Sequence, residues 1–324
     1  MVQPGRLSLR LEHTFVPMTV SHVAECPDLG PACEGPVPPT PYNHHIDQFI
    51  FETGLTATIG LADWFELENR WALRVTDVSP TYSELDGTPK SVPNDIHHHD
   101  ETLVDPTDGW LVGRFAQRHG DFIGTFQLGM TLPIGRTEED PYRLGAEGLS
   151  HEHLQAGTGT VMPIVGFAVS YTVAPVTMGL SGVGFVSAYE NDEGFRAPSR
   201  IYASHRVSVS LVDGMFRPFA GIDLAHETEE LWQGKPGLEG SNVRTELYGS
   251  TGLAFRFFDP WSVDISIRGR VATLTDAPTF EVPVMIGLGL ETSFELWKSG
   301  AEPKAEGPQI EERIEDDTKI YEKK

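Results

Sequence analysis

Residues 120–135 read GDFIGTFQLGMTLPIG, and this short stretch restricts the fold more than any other. Phe122, Gly124, Phe126, Leu128, Met130 and Leu132 fall on one side of an extended chain. Ile123, Thr125, Gln127, Gly129 and Thr131 fall on the other, because successive side chains of a strand point to opposite faces. One face is greasy and the other mostly polar. Neither the pattern nor the length of the run suits a membrane helix, which needs about 20 consecutive apolar residues. It suits a strand with lipid on one side and a hydrated interior on the other.

The same rhythm recurs in about twelve extended segments. Leu7, Leu9 and Leu11 alternate with Ser8, Arg10 and Glu12, and Phe65, Leu67, Trp71, Leu73 and Val75 alternate with Glu66, Glu68, Arg70 and Arg74. Val263, Ile265 and Ile267 alternate with Asp264, Ser266 and Arg268. Connections between segments alternate in length. Short turns are expected near Ala62-Asp63, His119-Gly120, Ala174-Pro175, Asp213-Gly214 and Asp259-Pro260. Long connections are expected at 17–46, 79–108, 136–157, 190–199 and 228–241, with a brief one at 275–279. Short turns at one end and long loops at the other form the layout of outer-membrane barrels, and an even strand count puts both termini at the short-turn, periplasmic end. Trp64, Phe65, Phe122, Tyr171, Phe216, Phe257, Phe258 and Trp261 lie beside short turns, as an aromatic girdle at a membrane interface requires.

A chain of 324 residues with 33 Gly and 24 Pro favours many turns over long helices. Its hydrophobic fraction of 39% is low for a helical membrane protein, but not for a barrel, in which every second residue meets lipid. The net charge of -23 excludes nucleic acid as a partner, since phosphate binding needs clustered Lys and Arg. The opening MVQPGRLSLRL has neither the charged start nor the apolar stretch of a signal peptide, so either the numbering begins near the mature end or the protein is not exported. Cys26 and Cys33 close the segment CPDLGPAC. A small disulfide loop in an oxidising compartment is the preferred reading, with free thiols or metal ligands as the alternatives.

The polar face carries both signs of charge in quantity. Glu66, Glu68, Arg70, Arg74, Arg244, Glu246 and Arg268 are the candidate channel-lining residues. Such charges either line a water-filled path or pair across the barrel and close it. A narrow solute path is favoured, since about twelve strands leave less room than the 16–18 of general porins. Histidines gather in the expected long loops: His22, His44 and His45 in the first, His97, His98 and His99 in the second, His151 and His153 in the third. Imidazole and carboxylate bind Zn, Cu or Ni, but no fixed ligand spacing is present, and solvated loop polarity is the plainer account. His205 falls by strand parity on the lipid side. No His-x-Ser pair, GxSxG or phosphate loop occurs, so no catalytic residue is assigned and an enzyme is not expected.

The stretch 153–171, HLQAGTGTVMPIVGFAVSY, resembles the G-T-G-x-x-x-P-x-x-G strand of the outer-membrane transporters grouped under the phenol meta-cleavage pathway label. Residues 131–135, TLPIG, resemble the end of that family's preceding strand. Residues 100–113, DETLVDPTDGWLVG, are similar to its E-T-x-x-G-x-G-D-x-x-x-G segment, departing at Asp105 and Pro106, where glycines are usual. The resemblance implies an outer-membrane barrel distantly like the channels for fatty acids and aromatics, and it carries no catalytic residues.

The expectation is therefore an all-β, antiparallel transmembrane barrel over 1–298, followed by a polar, disordered periplasmic tail over 299–324 that could meet a periplasmic partner. Its partners are outer-membrane lipid and a small solute, and Gly157, Gly159 and Pro163 are structural. Two alternatives compete with a channel. One is a sealed barrel acting as a surface metal-binding or scaffold protein. The other is a soluble β-sandwich.

Overall fold

The computed structural model describes residues 2–24, 40–92, 99–151, 153–237, 243–275 and 280–298. Cys26, Cys33, His97, His98 and the 299–324 tail lie outside the described residues. Twelve long antiparallel strands close on themselves. They are β1 (Arg6–Ala24), β2 (Tyr42–Ala62), β3 (Phe65–Glu84), β4 (Gly109–His119), β5 (Phe122–Leu132) and β6 (Pro163–Val173), then β7 (Val176–Phe185), β8 (Arg200–Val209), β9 (Phe216–Glu227), β10 (Arg244–Phe258), β11 (Trp261–Thr273) and β12 (Val284–Glu295). Each strand pairs with the next, and β1 closes the cylinder by pairing with both β2 and β12, Leu11 lying opposite Leu55 on one side and Leu290 on the other. Closure satisfies backbone groups without leaving an edge, which is what a membrane-spanning sheet requires. No helix is long and apolar enough to cross a membrane among the described residues.

The outer surface is greasy as the alternation predicts. Leu55, Trp71, Leu73, Phe126, Leu128, Met130, Phe167, Ile222, Ile265 and Leu288 all point outward and are exposed. At the short-turn end, aromatic rings pair on neighbouring strands: Phe65 with Phe115 at 4.8 Å, Phe122 with Tyr171 at 4.5 Å, Phe216 with Phe255 at 4.8 Å. These rings form a girdle at the headgroup level.

The strands are unequal, and here the structure departs from the sequence reading. β1, β2 and β3 run for 19, 21 and 20 residues, roughly twice the 9–11 needed to span a bilayer. The segments 17–24, 42–46 and 79–84, expected in loops, are strand. Their excess lifts one side of the cylinder by roughly 30 Å along the strands. The chemistry of the two faces marks where this happens. On β3 the outward residues change from Trp71, Leu73 and Val75 to Asp77, Ser79, Thr81 and Ser83. Above the same level the apolar residues turn inward: Val16, Met18, Val20, Ile46, Ile50 and Val78 are buried. Water replaces lipid outside, so the greasy phase moves to the inside.

The opposite side, β4 to β8, ends near the membrane and is covered. The connection at 133–162 carries one helix, α1 (Pro141–Ala146), whose first turn is capped by Asp140 accepting from the amides of Tyr142 and Arg143. A small sheet of Phe195–Arg196, Leu231–Trp232 and Lys235–Pro236 lies in the two following connections. A further short strand, Glu101–Pro106, pairs with the upper part of β3.

Candidate functional site

Between the tall wall and this cover lies a cavity of about 160 Å³. The tall wall contributes Met18, Val20, Ile46, Ile50 and Val78, and the covered side contributes Leu154, Met162, Phe185 and Phe195. Polar residues are as numerous around it, among them His22, Gln48, Arg74, Asp105, Asp108, His153, Arg200 and Glu230, but most of the surface facing the cavity is apolar. Mostly apolar walls with a few placed polar groups are the usual make-up of a small-molecule site. The cavity roughly matches the ~150 Å³ apolar cavities known to hold one benzene ring.

The cover is pinned at its base by Asp108. One carboxylate oxygen accepts from the Gly135 amide at 3.0 Å, and the other accepts from the amide and hydroxyl of Thr158 at 2.8 and 2.6 Å. Gly135 and Gly157 meet backbone to backbone there. A Cβ on Gly157 would come within 2.5 Å of Gly135, so no larger residue fits without moving the cover. Arg136 bridges Asp105 and Glu138, each at 2.8 Å. Partial burial raises the pKa of the Glu138 carboxyl; Arg136 opposes the shift, and Asp105, Glu101 and Glu139 add to it.

Below the cavity a belt of ion pairs crosses the barrel. Glu52, 1% exposed, accepts from Arg70 at 2.8 Å and from Arg74 at 3.1 Å. Arg114 reaches Glu68 at 2.7 Å and Glu66 at 3.3 Å, and the Trp110 indole donates to Glu68 at 3.1 Å. Arg10 donates to Glu12 at 2.8 Å and to Asp264 at 3.0 Å. On the far wall Arg268 faces Asp223 at 3.2 Å, while higher up, beside the cavity-lining Arg200, Arg244 lies between Glu227 at 3.2 Å and Glu246 at 3.3 Å. Glycine makes room for these groups. A Cβ on Gly289 would lie 2.3 Å from Asp264 and 2.4 Å from Arg10. Charges at this depth are tolerated because each faces an opposite one, and removing one partner of such a pair costs roughly 3–5 kcal/mol.

All seven residues named as channel lining therefore point inward, but they are not equivalent. Arg74 alone among them borders the cavity. Glu66, Glu68, Arg70 and Arg268 belong to the belt, and Arg244 and Glu246 sit above it at the long-loop rim, joined through Glu227 to the cavity-lining Arg200. Glu66 sits toward the periplasmic end, where its carboxylate also accepts from the Val2 amide at 2.7 Å. Sequence reasoning missed the apolar lining itself, together with Asp108, Thr158 and Arg114. Val16, Met18 and Val20 on even positions of β1, following Leu7, Leu9 and Leu11 on odd ones, were the available signal.

The histidines separate. His44 and His45 are not in a loop. They are successive residues of β2 on opposite faces, His44 1% exposed and His45 outside beside Asp47 at 3.5 Å, so they cannot share an ion. His44 instead packs against His22 at 5.0 Å and Tyr82 at 5.1 Å between ring centres. His151 and His153 do come together, with ring centres 5.1 Å apart, and His151 Nδ1 lies 2.9 Å from the Leu149 carbonyl. His99 lies 3.6 Å from Glu101. No group of three or more His, Cys, Asp or Glu side chains is arranged to hold a metal ion among the described residues. His205 faces outward at mid-strand, within 3.0 Å of the Gly179 carbonyl.

Three solved structures are similar to this chain. An outer-membrane channel of Pseudomonas putida F1 is 11% identical, with a TM-score of 0.59 over 91% of this chain and 97% of that one. A TodX monoaromatic hydrocarbon channel is 9% identical, with a TM-score of 0.41 over 91% of each chain. A FadL homologue of Pseudomonas aeruginosa is 10% identical, with a TM-score of 0.40 over 90% of each. At these identities the likeness to the first is one of fold: the chain has the architecture of an outer-membrane β-barrel. No family model matches the chain, and no curated protein matches it.

Proposed function

We propose that the protein is an outer-membrane channel for a small, largely apolar solute. The observation that carries this reading is the apolar cavity at the long-loop end, stacked directly on the charged belt. The solute enters between the tall wall and the cover and rests against Met18, Ile46, Met162 and Phe185. It passes onward when the pairs centred on Glu52 rearrange, exchanging partners among Arg70, Arg74 and Glu12 without any charge becoming unpaired. The imidazoles of His22 and His153 border the entrance, and through them the external loops act on passage.

Refolded protein in a planar bilayer tests this. Discrete openings are expected, with the frequency increased in Asp108→Ala, which releases the cover. Repeating the recording with Zn²⁺ probes the two imidazoles, and a block lost in His22→Ala ties them to entry. A folded, inserted barrel that neither conducts nor releases a small aromatic solute from liposomes would overturn the proposal in favour of a sealed barrel acting through its loops.

A further inference from the structure

A second pocket, of about 150 Å³, opens at the periplasmic end between the first residues of the chain and the turns preceding β9 and β11. Three guanidinium side chains line it: Arg6, Arg217 and Arg256. This is unexpected in a chain of net charge -23. Deeper in the barrel, Arg10, Arg70, Arg74, Arg114, Arg244 and Arg268 all face carboxylates. At the periplasmic pocket two of the three have neutral hydrogen-bond partners: Arg6 donates to the Ser293 hydroxyl at 2.7 Å and Arg256 to the Asp213 carbonyl at 3.2 Å. Two acids also line the pocket, Glu291 and Asp259. Glu291 is already engaged, accepting from Ser8 at 2.7 Å and lying 3.8 Å from Arg10.

We infer that this pocket binds a small organic monocarboxylate. The guanidinium fork matches a carboxylate in shape and charge. Glu291 and Asp259 lower the attraction for a dianion such as phosphate, so a single negative charge fits the balance best. Trp261 and Pro260, also lining the pocket, suit a ligand with an apolar body. The site does not depend on whether the barrel conducts, since it is open to the periplasmic side by itself.

The test is calorimetric titration of the refolded protein in detergent with benzoate, benzyl alcohol and inorganic phosphate. Benzoate is expected to bind more tightly than the other two, and more weakly as salt is added. The double variant Arg217→Gln/Arg256→Gln is expected to lose about tenfold or more in benzoate affinity. Arg6→Gln, from β1, serves as an independent second variant and weakens binding in the same direction. Heat-modifiable gel mobility verifies that each variant is folded. All titrations are run in a Met162→Trp background, which fills the upper cavity and leaves the periplasmic pocket as the site being read. Equal binding of benzyl alcohol, full affinity in both arginine variants, or absence of benzoate binding in this background would each overturn the assignment.

Discussion

Two acids in or beside the cover do opposite things. Asp108 is a pin: it accepts three hydrogen bonds from Gly135 and Thr158. Replacing it with Ala is expected to weaken the seating of the cover by on the order of 2 kcal/mol, seen as faster hydrogen exchange at the Gly135 and Thr158 amides with the barrel strands unaffected. Glu138 is a strained charge. Because partial burial raises its pKa, the folded cover favours the protonated acid. The associated stability is present below the carboxyl's ordinary pKa and is lost as pH rises through the raised value. Glu138→Gln is therefore expected to slow exchange of the cover amides at pH 7 and to change nothing at pH 4. Equal effects at both pH values would show that Glu138 does not act through its charge.

At the scale of elements, the lipid-facing alternation made the barrel legible before any coordinates. Phe122 to Leu132 is a strand with the anticipated face outward, and the short turns fall where Gly120, Pro175 and Pro260 suggested. What was not legible was how far β1 to β3 continue. Their upper halves keep the two-residue period but exchange faces, since Asp77, Ser79 and Thr81 meet water while Val16, Met18 and Ile46 meet the cavity. A reading that looked for grease on the outward face had to stop at the membrane boundary. For the same reason His44 looked like a loop residue when it is a buried strand residue. The boundary can be tested directly. Leu128→Arg, on the lipid face of β5, is expected to cost roughly 2–4 kcal/mol. Ser79→Arg, outward on the projecting part of β3, should cost almost nothing in the same lipid-unfolding titration.

At the scale of the whole molecule, the interior is stratified: a basic pocket at the periplasmic end, an ion-paired belt across the middle, an apolar cavity above. The inward charges could be assigned to the polar face from sequence, but their pairing could not. Pairing depends on register across strands far apart in the chain, as between Arg10 and Asp264 or Arg10 and Glu291. Glu52 is the hub, and Glu52→Gln leaves Arg70 and Arg74 with one weakened acceptor. That variant is expected to unfold at lower temperature than the parent and, once inserted, to conduct more, read from melting of the gel-shifted band and from single-channel traces. The projecting half-wall has a different consequence. Its inner surface is hydrophobic and stands clear of the bilayer, shielded on the facing side by residues such as Leu154, Met162 and Phe195. The segment that looks like a lid is therefore also a coat. An engineer who trims it to widen the passage would uncover a sticky crest in open water, and clumping of barrels through that crest would precede any gain in flow.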